Sequence, residues 1–181
     1  MGELYAIVSG KGGTGKTSVC AGLAAALAEK GRKVLCIDCD VGLRNLDISL
    51  GMSDCASLSF LDVCQGSYAL SDACRHPKYD SLFFLTAPMN TPVEKIDPEP
   101  FGRMLLEARQ QFEFVFLDAP AGVDAGFRLT SGWVDRFLLV TGRQCVPCVP
   151  RQRAGAGGKE KRPSHCQPCG RGDALHRPAD H

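Results

Sequence analysis

The sequence predicts a three-layer α/β fold, a mostly parallel sheet covered by helices on both faces. Three observations carry this. Short apolar runs alternate with amphipathic stretches from Leu4 to Thr141. Those runs are nearly continuous in Val, Leu, Ile and Phe, as strands buried on both faces require. Polar segments rich in glycine or aspartate follow three of them, at the carboxyl ends where such sheets bind ligands.

Leu4–Ser9 reads as the first buried strand, and Gly10–Thr17 as a glycine-rich turn. Ser18–Lys30 has apolar residues at helical spacing, with Gly31 as its stop. Lys33–Asp38 is the second strand, and Val41–Leu50 a loop with a short hydrophobic segment. Leu58–Cys64 and Leu70–Cys74 read as short helices capped by Ser57 and Ser71. Ser81–Thr86 is the third strand. Pro98–Gln111 is a helix with proline near its start, where no amide hydrogen is missed. Phe114–Leu117 is the fourth strand and ends in Asp118. Val123–Ser131 is helical, and Arg136–Thr141 is the fifth strand.

With 181 residues, the chain suffices for one domain with one core. A net charge of +1 excludes whole-molecule attraction to nucleic acid or anionic membrane. No apolar run approaches the roughly 20 residues that span a bilayer. The first eight residues start a strand and have no basic leader, so the expected compartment is the cytoplasm. Cys20, Cys36, Cys39, Cys55, Cys64 and Cys74 read as reduced, buried thiols. His76, in a polar stretch, reads as a surface residue.

Gly10-Lys11-Gly12-Gly13-Thr14-Gly15-Lys16-Thr17 satisfies GxxxxGK[ST], between a strand and a helix as a P-loop requires. That context argues against a chance glycine turn. The glycines let backbone amides curl around phosphate oxygens, and the following helix terminus adds partial positive charge. Ser18 extends the loop. Lys16 is expected at the β- and γ-phosphates and the Thr17 hydroxyl at Mg²⁺. Lys11 is either a solvated loop lysine or a second cation for transferring phosphate. Asp38 and Asp40 leave the second strand one residue apart and share a face. Such a carboxylate pair near Mg·ATP can hold the metal through water and orient an attacking water. Asp118 ends its strand as a Walker B acid does.

These residues resemble the MinD/ParA family of ATPases. Lys11–Thr17 is similar to the family's deviant Walker A motif, whose signature is the early lysine. Asp38-Cys39-Asp40-Val41-Gly42-Leu43-Arg44-Asn45-Leu46-Asp47 looks like switch I of the MinD branch, where ParA proteins show Asp-x-Asp-Pro-Gln. Asp118-Ala119-Pro120-Ala121-Gly122 resembles switch II, with alanine at position 119 where the family usually has serine. The resemblance implies a P-loop NTPase fold and an ATP-dependent sandwich homodimer that hydrolyses ATP slowly. It implies that Lys11 reaches the phosphates of the partner subunit, Asp40 positions the hydrolytic water, and Asp38 supports Mg²⁺. Asn45 and Gly122 would sense the γ-phosphate. It further implies attachment to the inner face of the cell membrane, a MinC-like inhibitor and a MinE-like regulator, in division-septum placement. Nucleic acid is not an expected partner.

Family members are longer, with further strands, an adenine-gripping segment and a terminal amphipathic helix. Residues 142–181 resemble none of this, so the fold is expected to be incomplete on its C-terminal side. They hold eight Lys/Arg, three acids, five prolines and six glycines, with no periodicity. Cys145-x-x-Cys148 and Cys166-x-x-Cys169 have the spacing of a zinc ribbon. The segment lacks strand-forming residues, so the expectation is an out-of-frame or degenerate tail rather than a zinc site. The rival readings are a ParA-like DNA-partition or cargo-positioning ATPase and a zinc-binding interaction module.

Overall fold

The computed structural model describes residues 1–122 and 124–141. The tail, with Cys145, Cys148, Cys166 and Cys169, lies outside the described residues.

The described chain forms a six-stranded sheet: β1 (Glu3–Val8), β2 (Val34–Asp38), β3 (Cys74–Arg75), β4 (Leu82–Leu85), β5 (Phe114–Asp118) and β6 (Arg136–Leu139). Their spatial order is β3-β4-β2-β5-β1-β6. All neighbours are parallel except β3, which runs antiparallel to β4. The predicted three-layer fold and mostly parallel sheet are present.

Alternation along the central strands divides the core in two. Leu35, Ile37, Val115 and Leu117 face α4 (Pro98–Gln111), meeting Phe101, Met104, Leu105 and Ala108. Val34, Cys36 and Phe116 face α1 (Lys16–Glu29), meeting Cys20, Ala21, Ala24 and Ala28. The alanines bring α1 close to the sheet, which seats the glycine loop directly over the strand ends. Asp97 caps α4, accepting from the Glu99 amide at 3.0 Å.

Helix α4 also contains a close approach. A Cβ on Gly102 would lie 2.3 Å from the Trp133 ring. Gly102→Ala is therefore expected to destabilise the fold by about 1–3 kcal/mol, although alanine is the better helix former by about 1 kcal/mol. The urea midpoint measures this, and an unchanged or raised midpoint would contradict the packing.

Several elements differ from the sequence reading. Leu46–Leu50 is a helix, α2, rather than part of a loop. Leu46 and Leu50 lie one turn apart and both are buried, and Gly51 ends the helix at φ 69°. Helix α3 (Phe60–Cys64) is capped by Ser59 and not by Ser57, whose hydroxyl donates to the Cys55 carbonyl. Leu70–Asp72 is one 3₁₀ turn, fastened by Asp72 accepting from the Ala69 amide, and Ser71 is not its cap. The chain then extends into β3, because pairing with β4 supplies hydrogen bonds that a helix end would leave open. The last helix, α5, is Ala125–Ser131. The predicted fifth strand is β6, sixth in chain order, and it ends at Leu139.

His76 is buried, 8% exposed, and is not a surface residue. Its Nε2 meets the Leu50 carbonyl at 2.9 Å, and its Nδ1 accepts from the Lys78 and Tyr79 amides. It fastens the end of α2 to the β3–β4 turn. Among the six cysteines of the described residues, all free, Cys20, Cys36 and Cys39 are buried as expected. Cys55, Cys64 and Cys74 are only half-buried.

Candidate functional site

Three adjacent strands, β2, β5 and β1, end together beneath the glycine loop. In register, Asp38 of β2 lies beside Asp118 of β5, and Asp118 beside Ile7 of β1. Topology thus brings together polar residues up to about a hundred positions apart.

The loop after β1 turns on Gly13 and Gly15, at φ 71° and 87°, where any side chain would be strained. Gly15 occupies the cap position of α1, so the first amides of that helix open toward the loop. The Ser9 hydroxyl donates to the Lys11 carbonyl at 2.7 Å, and the Gly122 amide donates to the Ser9 carbonyl at 3.1 Å. The segment after β5 is therefore tied to the base of the glycine loop.

Lys16, the first residue of α1, points down rather than out. Its Nζ lies 2.7 Å from Asp118 Oδ1, with side chains 8% and 2% exposed. The Thr17 side chain faces the same carboxyl. Burial raises the Asp118 pKa, while Lys16 and Thr17 pull it down. Asp38, 1% exposed, accepts from the Asp40 amide at 2.9 Å and the Leu46 amide at 3.2 Å. Burial outweighs those bonds and pushes its carboxyl up to about 6. Cys39, between the two aspartates, is pushed well up by burial and stays a neutral packing group.

Asp40 is half-buried and caps its own loop, its Oδ1 accepting from the Gly42 and Leu43 amides at 3.3 Å each. Arg44 holds φ 44°, the one positive value outside glycine among the described residues. That conformation costs about 1–2 kcal/mol. Its Nε and Nη2 both donate to Thr86 Oγ1, at 3.0 and 2.8 Å.

A cleft of about 280 Å³ collects Lys11–Ser18, Asp40 and Asn45, with Ser9, Leu43, Ser49 and Ala121. Most predicted site residues meet there. Asp38 and Asp118 lie beneath its floor, and Gly10 and Gly122 flank it beside Ser9 and Ala121. Ser9 and Ser49 were not among the expected site residues, and Leu43 and Ala121 entered only as members of the 38–47 and 118–122 motifs. Ser49 reaches the cleft because it lies one turn beyond Asn45 on α2.

The cleft fits a phosphorylated ligand. A Cβ at Gly10, Gly12, Gly13 or Gly15 would meet nothing within 4 Å, so these backbones border open space. Thr14 Oγ1 is buried without a partner, a donor that a phosphate oxygen would satisfy. The residues expected to hold Mg²⁺, Thr17, Asp38 and Asp118, would offer it oxygens, as a hard cation requires.

Comparison with known proteins agrees with this geometry. The CobQ/CobB/MinD/ParA nucleotide-binding domain matches residues 5–140. The septum site-determining protein MinD of Thermotoga maritima is 37% identical over 142 residues, covering 78% of this chain and 52% of that protein. MinD of Bacillus subtilis is 36% identical over 143 residues, covering 78% and 53%. MinD of Pyrococcus horikoshii, solved with Mg-ADP, gives a TM-score of 0.67 at 34% identity, covering 78% of this chain and 58% of that one. A chain of the MinC:MinD complex of Aquifex aeolicus also gives 0.67 at 34% identity, covering 76% and 55%. The chain spans about half the length of the curated relatives it matches.

Proposed function

We propose that this chain, which belongs to the CobQ/CobB/MinD/ParA nucleotide-binding domain family, is a MinD-like switch that binds Mg-ATP, hydrolyses it and acts in placing the division septum. The observation that carries the reading is the buried Lys16–Asp118 pair, 2.7 Å apart under a glycine cradle, with Asp38 in register beside it.

In this reading the backbone of residues 10–15 and the first amides of α1 cradle the phosphates, and Thr14 donates to one oxygen. Lys16 turns from Asp118 toward the β- and γ-phosphates. Thr17, Asp38 and Asp118 hold Mg²⁺, which when bound supplies charge neutralisation at the phosphate oxygens. Asp40, at the cleft wall, accepts a proton from the attacking water and orients it. Asn45 and Gly122 report the γ-phosphate, Gly122 through its tie to Ser9. Lys11 serves the phosphates of a second subunit, so turnover requires an ATP-dependent homodimer.

The MinC:MinD relative supports a MinC-like inhibitor as partner, and the resemblance of residues 38–47 to switch I of the MinD branch is the ground for a MinE-like regulator. We place the protein in the cytoplasm, acting at the inner face of the cell membrane. No described helix is long and apolar enough to cross a membrane.

Calorimetric titration with Mg-ADP, together with phosphate release from Mg-ATP, tests the reading. No binding at millimolar nucleotide would sink it. Asp40→Asn keeps an oxygen for the Gly42 and Leu43 amides but loses the base. It is expected to lower turnover about 100-fold while Mg-ADP affinity stays within about threefold. Equal loss of both would assign Asp40 to binding instead.

A further inference from the structure

We propose that Arg44 and Thr86 form a clamp that positions the 40–45 loop over the phosphate cleft and so governs turnover rather than nucleotide affinity. The inference rests on the function proposed above.

The 40–45 loop is held internally by short-range bonds. The Arg44 amide donates to the Asp40 carbonyl, and the Gly42 and Leu43 amides donate to the Asp40 carboxyl. These bonds shape the loop, and Asp38 of β2 holds its two ends through the Asp40 and Leu46 amides, but none of them attaches the middle of the loop to the sheet. Gly42, Leu43 and Asn45 are exposed, Leu43 by 70%. The middle of the loop is attached through Arg44, whose guanidinium places two donors on one hydroxyl, Thr86 Oγ1.

Thr86 is a rigid post. It is 3% exposed and follows β4. Its amide donates to the Leu58 carbonyl, and its carbonyl accepts from the Phe60 amide, both at 2.9 Å. In the β2–β4 register Ile37 pairs with Leu85, so Thr86 leaves β4 level with Asp38 leaving β2. The clamp therefore spans from that sheet edge to the loop carrying Asp40 and Asn45. Arg44 does not line the phosphate cleft; it lines a second cleft of about 370 Å³ with Ser59, Asp62 and Asn90. Without the acceptor, no side-chain bond offsets the strain at Arg44, and the loop is left held at its two ends only.

Thr86→Val keeps the side-chain shape and removes the acceptor, whereas Thr86→Ser keeps the hydroxyl. Both are made in the full 181-residue chain. In nucleotide-free protein, amide exchange at Gly42, Leu43 and Arg44 is expected to rise about 10-fold in Thr86→Val and to return to within about twofold of the parent in Thr86→Ser. Protection of β2 and β5 stays as in the parent. With Mg-ATP, kcat is expected to fall about 10-fold in Thr86→Val and recover in Thr86→Ser, with KM and Mg-ADP affinity within about threefold throughout. Unchanged loop exchange in Thr86→Val overturns the clamp, whatever the activity. Faster exchange with unchanged kcat overturns its role in turnover. If the parent neither binds nor hydrolyses nucleotide, the functional reading fails, and the exchange measurement still decides the clamp. If Thr86→Val loses protection in β2 and β5, Arg44→Asn decides instead, because asparagine tolerates the left-handed conformation but cannot reach Thr86.

Discussion

Replacing Lys16 with alanine is expected to weaken Mg-ADP binding at least about 100-fold, because the charge-assisted contacts to the phosphates go with the ammonium. The same substitution has a second consequence that a loop lysine exposed to water would not have. In the nucleotide-free fold Lys16 neutralises Asp118 at 2.7 Å in a buried setting. Its removal leaves a buried carboxylate without its cation, a loss of about 3–5 kcal/mol. The two consequences separate in a double variant. Lys16→Ala with Asp118→Asn removes the stranded charge, so the melting temperature is expected to recover most of the way to the parent while affinity stays lost. Thermal melts and Mg-ADP titrations on the parent, Lys16→Ala and the double variant decide this. Parent-like affinity in Lys16→Ala would end the phosphate-site assignment. Parent-like stability in Lys16→Ala would mean that the Asp118 pair does not bear on the fold.

The Lys16–Asp118 pair also marks where sequence reading stops. Gly10–Thr17 was legible because eight consecutive residues carry the motif, with a strand before and a helix after. Asp38, Asp40 and Asp118 were legible because each leaves an apolar run at the end where parallel sheets bind ligands. That Lys16 points at Asp118 was not legible. It depends on β5 lying between β1 and β2, a non-local arrangement that neither motif encodes. The position of α2 was lost for a related reason. Five residues are too few for periodicity to stand out, and the helix is held by tertiary contacts: the Leu46 amide on Asp38, and the Leu50 carbonyl on His76. His76 was misread because polar neighbours suggest solvent, while its two ring nitrogens are used inward. Thr86 carried no signal at all, since a threonine closing a strand is ordinary until a guanidinium is found on it.

Asp38 leads to the other large effect, a proton linkage between fold stability and Mg²⁺. Burial lifts its carboxyl from 3.8 to about 6. The folded protein therefore holds this proton more tightly than the unfolded chain does. Between about pH 4 and pH 6 the native state binds more protons, so stability falls as pH rises through that window. A shift of roughly two units corresponds to about 3 kcal/mol. Asp118, also raised, acts in the same direction, with Lys16 opposing it. Mg²⁺ requires the ionised carboxylate, so the metal and the proton compete for Asp38. The nucleotide-free protein is expected to melt at progressively lower temperature from pH 4.5 to pH 7, with Asp38→Asn flattening most of that slope. Mg²⁺-dependent nucleotide affinity is expected to fall as pH drops below 6, by up to about tenfold per pH unit. Asp38→Asn should bind nucleotide with little response to Mg²⁺ at any pH in the range. A nucleotide-free melting temperature that rises between pH 4.5 and pH 7, or an equal slope in Asp38→Asn, would show that this carboxyl is not the linked group. A pH-independent response to Mg²⁺ would place the metal elsewhere than beside β2 and β5.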